Sequence, residues 1–458
     1  MSTFAEEATA GVRGKSSYGS ALSRPRLDAI DIVRGIVMVL MALDHVKHYF
    51  GRADFQFDAV DLAQPTTPAI FLTRWITHFC APTFVFLAGT SAFLYGTRGK
   101  SKAELSWFLV RRGIWLVILE VTVVNWSWAF RINYTEGMGG AVIWAIGSAL
   151  IVLSVLIWLP TAAVAAIGVA IIAFHNLLDH KTAEEVGLPY SVWSILQDGG
   201  PFWIFPNLHG LIPNPDTEHA KNGYEILLTF STGYRLLAWT GVIAAGYGFG
   251  ALFLLDRPQR RRQLIGLGLV LTLLFVGLRY TNYFGDLRYP APPDNPSQNV
   301  SGQPGPWSVY DKPYFTPLSF LNCQKYPPSL LFLLMTLGPA ITAIGLFDRD
   351  VTGPISRFFI TFGRVPLFYY LLHLPLIHVL AIGADYLWYG YGNSPFKMDG
   401  PWVGAKVLKE QSDQYPDYGW SLPSVYLIWI LVVLILYPFC WWFARVKQRY
   451  RNPLLSYL

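Results

Sequence analysis

The chain has 458 residues, of which 53% are hydrophobic, 16% aromatic and only 14% charged, with a mean hydropathy of +0.36. So apolar a composition excludes a soluble enzyme or binding module and points to an integral protein of the lipid bilayer. The net charge of +6 sits in short connections, where it signals topology, and gives no reason to expect a nucleic acid partner.

Residues 1–23 are polar and rich in Gly, Ser and Ala. They lack the apolar core and cleavage pattern of a signal peptide and read as a disordered cytoplasmic arm. A spanning helix needs about 20 mainly apolar residues. Candidate spans fall at 29–50, 69–95, 107–128, 141–159, 161–178, 230–255, 263–282, 328–347, 357–383 and 422–446. Basic residues then occupy every second connection: Arg24 and Arg26, Arg98 to Arg112, Arg257 to Arg262, Arg349 and Arg357, and the tail Lys447 to Arg451. The pattern predicts an all-α polytopic membrane protein of about ten transmembrane helices with both termini cytoplasmic. The membrane domain runs over 24–446 and a basic tail over 447–458.

Three long segments, 179–229, 283–327 and 384–421, fall on the external side. They are rich in Pro, Gly, Asn, Asp, Tyr and Trp, as in FWIFPNLHGLIPNPD and RYPAPPDNPSQNVSGQPGPW. Loops this long cover or build a site, and aromatics beside acids and amides suit a sugar, although belts at the membrane interface account for many of them. Residues 201–213 are too short to span and read as a re-entrant or interfacial segment. There is no internal repeat. Cys80, Cys323 and Cys440 have no metal-type spacing and imply no disulfide framework. Gly246 and Gly250 predict close helix packing, within one chain or across a homodimer.

Ionisable groups inside spans cost about 2.5–3.5 kcal/mol on insertion scales and therefore face partners or wet cavities. In the first span Arg34, Met38, Met41, His45 and His48 fall on one stripe, with Asp31 one turn before Arg34 as a clasp. Asp44 shares a face with His48. In the second span RWITHFCAP sets Arg74 and His78 one turn apart, and Pro82 loosens the helical ladder. RVPLFYYLLHLPLIH, at 364–378, sets Tyr370 and His373 on one face, adds His378, and has Pro366 and Pro375 as expected breaks. On the predicted topology His45, His78 and His373 reach a similar depth. A histidine takes a proton from a hydroxyl or amine near neutral pH, and a carboxylate such as Asp44 stabilises its charged form. The expected catalytic set is His45, with His78 as alternative base, and Asp44 and His373 as partners. Arg34, His48, Arg74, Tyr370 and His378 are the expected substrate-binding residues, Arg74 for a phosphate or carboxylate. No two of the three histidines are spaced as metal ligands on one helix, so no metal is expected.

The segments RLDAIDIVRGIVMVLMALDHV, TRWITHFCAPTFVFLAGTSAFLYG, YPPSLLFLLMTLGP and FGRVPLFYYLLHLPLIH resemble the bacterial branch of the heparan-α-glucosaminide N-acetyltransferase family. Its lysosomal members open with an Asp-x-x-Arg-Gly helix, matched by Asp31, Arg34 and Gly35. The resemblance implies acetyl-CoA as donor substrate from the cytoplasm, a sugar or glycan acceptor at the external face and, for a bacterial member, the inner membrane. It does not carry over the base: the lysosomal enzyme has Asn near the position of His45, and residues 49–77 contain no histidine. A transferase with a lipid-linked donor, a transporter or flippase, and a haem protein with paired histidines are the competing readings.

Overall fold

In hydrocarbon the backbone polar groups of an apolar stretch find partners only within a helix or a closed barrel, and the computed structural model of this protein is built from helices. It describes residues 27–52, 66–130, 138–179, 181–200, 202–203, 229–283, 306–350, 353–389, 419–450 and 455. Among these, 7 helical segments are long and apolar enough to cross a membrane: Pro68–Gly96, Thr161–Leu178, Leu236–Leu254, Arg257–Thr281, Leu330–Phe347, Pro366–Trp388 and Leu422–Arg449. The other three expected spans are also helical but fall outside that set. Helix α1, Asp28–Phe50, carries Asp28, Asp31, Arg34, Asp44 and Lys47. Lys102–Leu119, which carries Lys102, Glu104, Arg111 and Arg112, runs through a π-turn at Glu120–Val124 into the short helix Asn125–Ala129. Val142–Leu156 has only 15 residues.

Prolines decide where the long helices break. The second expected span divides into α2, Pro68–Thr77, and α3, Cys80–Gly96. The break at His78 and Phe79 is where Pro82, having no N–H, leaves the carbonyl of His78 without its helical donor. Helices α4 (Lys102–Leu119), α5 (Asn125–Ala129), α6 (Val142–Leu156), α7 (Thr161–Phe174), α8 (Leu236–Phe249), α9 (Arg257–Thr281) and α10 (Leu330–Phe347) follow. The expected span 357–383 is corrected into two helices, α11, Pro354–Arg364, and α12, Pro366–Tyr389. The residue before Pro366 is forced out of the helical region, and Val365 has φ −132 and ψ 49. The other expected break fails: α12 continues through Pro375. Helix α13 is Leu422–Arg449, so the first residues of the basic tail are still helical. A three-stranded sheet has β1 (Met138–Gly140) parallel to β3 (Thr229–Thr232) and β2 (Phe202–Trp203) antiparallel to it; β3 takes up the first residues of the expected span 230–255, whose helix begins only at Leu236. The arm at 1–23 and nearly all of 201–213 lie outside the described residues.

The Asp-x-x-Arg-Gly motif is a helix clasp. A side chain at Gly35 would collide with the backbone of Phe359, and one at Gly363 with the backbone of Asp31, so α1 and α11 touch main chain to main chain. Arg34 donates to Asp31 (3.3 Å), to Ser91 Oγ on α3 (3.0 Å) and to the carbonyl of Gly363 (3.4 Å). Arg364 closes the junction on Asp28 at 3.7 Å and Asp31 at 3.9 Å. Backbone cannot yield as a side-chain tip does, so Gly35→Ala should lose about 3 kcal/mol, the upper end for overpacking. Gly353→Ala, with nothing within 4 Å, should be near neutral; equal thermal midpoints for the two variants would refute the clasp.

Gly246 sits against the backbone of Phe86 and Gly250 against the Phe93 side chain. The close packing expected of this pair is therefore made within the chain, between α8 and α3. At the end of the bundle where α9 begins and α10 ends, Arg260 holds Asp348 through two hydrogen bonds (2.7 and 2.9 Å), and Arg257 pairs with Asp350 at 2.9 Å. Cys80, Cys323 and Cys440 are buried and not joined by a disulfide.

Candidate active site

Asp44, His45 and His48 are only half-buried, although Leu43, Val46 and Tyr49 around them are core residues. This one turn of α1 is therefore partly accessible between core residues. The stripe behind it is closed: Met38 (1% exposed) and Met41 (5%) fill it with core, so the open polar face expected from Arg34 to His45 is not continuous.

The central contact joins α1 to α12. His45 Nδ1 lies 2.7 Å from His373 Nε2, with the rings stacked at a centroid separation of 4.9 Å. His373 Nδ1 is 2.6 Å from the carbonyl of Tyr370 and 3.2 Å from that of Tyr369. Carbonyl oxygens only accept, so neutral His373 carries its proton on Nδ1 and offers the lone pair of Nε2. His45 must then donate from Nδ1. Its Nε2 keeps a free lone pair and has no hydrogen-bond partner among the described residues. At 2.7 Å the two nitrogens also stand too close to be axial ligands of one iron, which would need about 4 Å between them.

Asp44 is held by Arg74 of α2, whose Nη1 donates to both carboxylate oxygens at 2.8 and 2.7 Å; Thr77 Oγ1 lies 3.3 Å from the carboxylate and gives its proton to the carbonyl of Arg74 at 2.7 Å. The cation expected to bind a substrate phosphate or carboxylate thus binds the chain's own carboxylate. The other expected residues separate. His48 stands edge-on to Trp128 at 5.3 Å. His78 is buried against the ring of Phe332 at 5.4 Å, and neither of its nitrogens has a partner among the described residues. Leaving such a group unpaired costs about 1–3 kcal/mol. Tyr370 serves the dyad through its carbonyl. His378 is fully buried, donates from Nδ1 to the carbonyl of Ser127 (2.9 Å) and stacks on Phe130 at 4.1 Å. Arg34 is committed to the clasp, about three turns along α1 from His45.

Two further groups are missing from the sequence reading. Trp128, at the end of α5, stands edge-on to His45 at 5.2 Å. Lys325 lies within Coulombic range of Asp44, His45 and His78, 5.1 Å from the ring centroid of Tyr326, and donates to the Tyr326 hydroxyl, which is also hydrogen-bonded to Tyr234. Burial opposes ionisation of Tyr326, but the cations Lys325 and Arg74 hold its hydroxyl below the ordinary phenol range, while burial and Tyr326 push Tyr234 up. Lys325 did leave a signal: it is a cation placed directly at the external end of a predicted span, against the usual charge bias. No group of three His, Cys, Asp or Glu among the described residues could hold a metal ion.

Residues 26–204 match the family model described as heparan-alpha-glucosaminide N-acetyltransferase, catalytic. The matched region holds Asp44, His45, His48, Arg74, His78 and Trp128, whereas Lys325, Tyr370, His373 and His378 lie beyond it. No curated protein matches the chain.

Proposed function

We propose that the chain, whose residues 26–204 match the heparan-alpha-glucosaminide N-acetyltransferase catalytic model, is an acyltransferase of that kind and moves an acyl group, acetyl in the first instance, from cytoplasmic acyl-CoA to a sugar or glycan at the external face of a bacterial inner membrane. The alternation of basic connections supports this sidedness, with the Arg34 end of α1 cytoplasmic. The observation that carries the chemistry is the His45–His373 contact of 2.7 Å, because it occupies His45 Nδ1 and leaves the Nε2 lone pair without a hydrogen-bond partner among the described residues.

In this reading an amine or hydroxyl of the acceptor hydrogen-bonds to His45 Nε2 and attacks the thioester carbonyl, forming the new C–N or C–O bond. The proton passes to His45 Nε2. The imidazolium so formed keeps its Nδ1–H on His373, whose own Nδ1–H stays on the Tyr370 carbonyl, so no second proton moves. Collapse of the tetrahedral adduct breaks the C–S bond, and the proton on His45 Nε2 goes to the departing CoA thiolate. Asp44 lies beside the charge that develops and stabilises it, while Arg74 keeps that carboxylate ionised. Lys325 supplies a cation to the same space, suited to the oxyanion of the adduct.

Purified protein incubated with labelled acetyl-CoA and a methyl glucosaminide should release CoA in step with labelled product, and only when both substrates are present. Vesicles that take up the labelled glucosaminide without any CoA release would identify a transporter and overturn the reading.

A further inference from the structure

The short helix α5 is pinned at its end by the same two helices that form the dyad. Tyr49, one turn beyond His45 on α1, donates its hydroxyl to the carbonyl of Trp128 at 2.8 Å. His378, five residues beyond His373 on α12, donates to the carbonyl of Ser127 at 2.9 Å. The chain then turns through Phe130 in the left-handed region, at φ 48, a conformation that a bulky residue keeps only when its surroundings hold it. Here the Phe130 ring lies flat on His378, 4.1 Å away and 6° from parallel, and His378 lies in turn on Tyr49 at 4.9 Å.

The consequence is the placement of one ring. Trp128 stands edge-on to His45 at 5.2 Å and to His48 at 5.3 Å, with Tyr49 nearly parallel to it at 5.9 Å. It is half-buried, so part of the indole remains accessible. His48 and Tyr49 lie on the side of His45 away from Arg34, and Trp128 is on that side with them. Arg34 lies on the opposite side of His45, behind the core residues Met38 and Met41.

We propose that Trp128 is the residue that selects the acceptor: the apolar face of a pyranose ring lies on its indole while the ring's nucleophile meets His45 Nε2. Tyr49 and His378 are positioning residues that act through Trp128. This assignment rests on the acyltransferase reading for its chemistry, and binding tests it without turnover. An aromatic platform binds a ring by its flat face and gives little to an acyclic amine of the same charge.

The test measures binding of methyl glucosaminide and of ethanolamine to detergent-purified wild type, Trp128→Ala and Trp128→Phe by ligand-induced thermal shift. Wild type should bind the pyranoside in preference to ethanolamine. Trp128→Ala should weaken the pyranoside about tenfold, Trp128→Phe should retain most of its binding, and neither should alter ethanolamine. Trp128→Phe keeps a ring in place and guards against a variant that merely misfolds. Equal pyranoside affinity in wild type and Trp128→Ala, equal weakening of both ligands, or no pyranoside binding by wild type would overturn the assignment. So would a Trp128→Ala protein altered only in its preference among acyl-CoA chain lengths, since that would put the indole on the donor side. Loss of CoA release with pyranoside binding and its Trp128 dependence intact would instead sink the acyltransferase reading alone.

Discussion

His45→Ala is expected to lower acyl transfer about 10²–10⁴-fold, the usual contribution of a general base, with the thermal midpoint close to wild type. The side chain is half-buried, so its removal leaves little new cavity. His373→Phe preserves a ring between Tyr369, stacked on His373 at 5.4 Å, and His45, but removes the acceptor for the His45 Nδ1 proton. The tautomer that presents the Nε2 lone pair is then no longer selected, and transfer should fall about 10²-fold. Because the two residues act as a unit, the double variant should be no slower than His45→Ala alone. Initial rates of acetyl-CoA-dependent product formation decide this. Near-normal transfer by a folded His45→Ala protein would remove His45 as base and return His78 to consideration, and multiplied losses in the double variant would disprove the relay.

Arg74→Met should destabilise the protein by about 3 kcal/mol, and Asp44→Asn/Arg74→Met should recover most of that loss. The ion pair is mostly removed from water, with side-chain exposures of 12% and 25%. Removing the cation takes away both charge-assisted hydrogen bonds to the Asp44 carboxylate, and an uncompensated charge in a low-dielectric interior costs more than the pair itself gains. Replacing both members removes the charge and the penalty together. Thermal unfolding in detergent gives the midpoints, and a double variant as unstable as Arg74→Met would show that the loss comes from packing. Transfer should fall in both proteins, since the developing imidazolium loses its carboxylate.

Helix existence was legible because hydrophobic runs must become helices in a bilayer whatever surrounds them. The ten expected stretches all contain helix, and the division at Pro82 and Pro366 follows from the missing N–H and the clash before the ring. Pro375 shows the limit of that rule. The same ring is accommodated within α12, and nothing local to the sequence separates this proline from Pro366. The residue types of the site were also legible, since Asp44, His45, Arg74 and His373 are costly in oil and must have partners.

Which partners they found was decided by tertiary structure. Along α1 the spacing set Arg34 and His45 on one stripe, but Gly35 against Phe359 committed Arg34 to a clasp. Equal depth grouped three histidines, yet depth is one coordinate out of three. The lateral packing of α12 on α1 brought His373 to His45, while the kink at Pro82 turned His78 toward Phe332. Trp128 and Lys325 reach the same space from segments 83 or more residues away in sequence from His45. No periodicity records such an approach, because it depends on how whole helices pack rather than on which residues each one contains. The sequence by itself determined a helical membrane protein with costly polar groups near one level; the packing of α1, α5 and α12 determined which nitrogen of His45 meets His373 and which ring stands beside it.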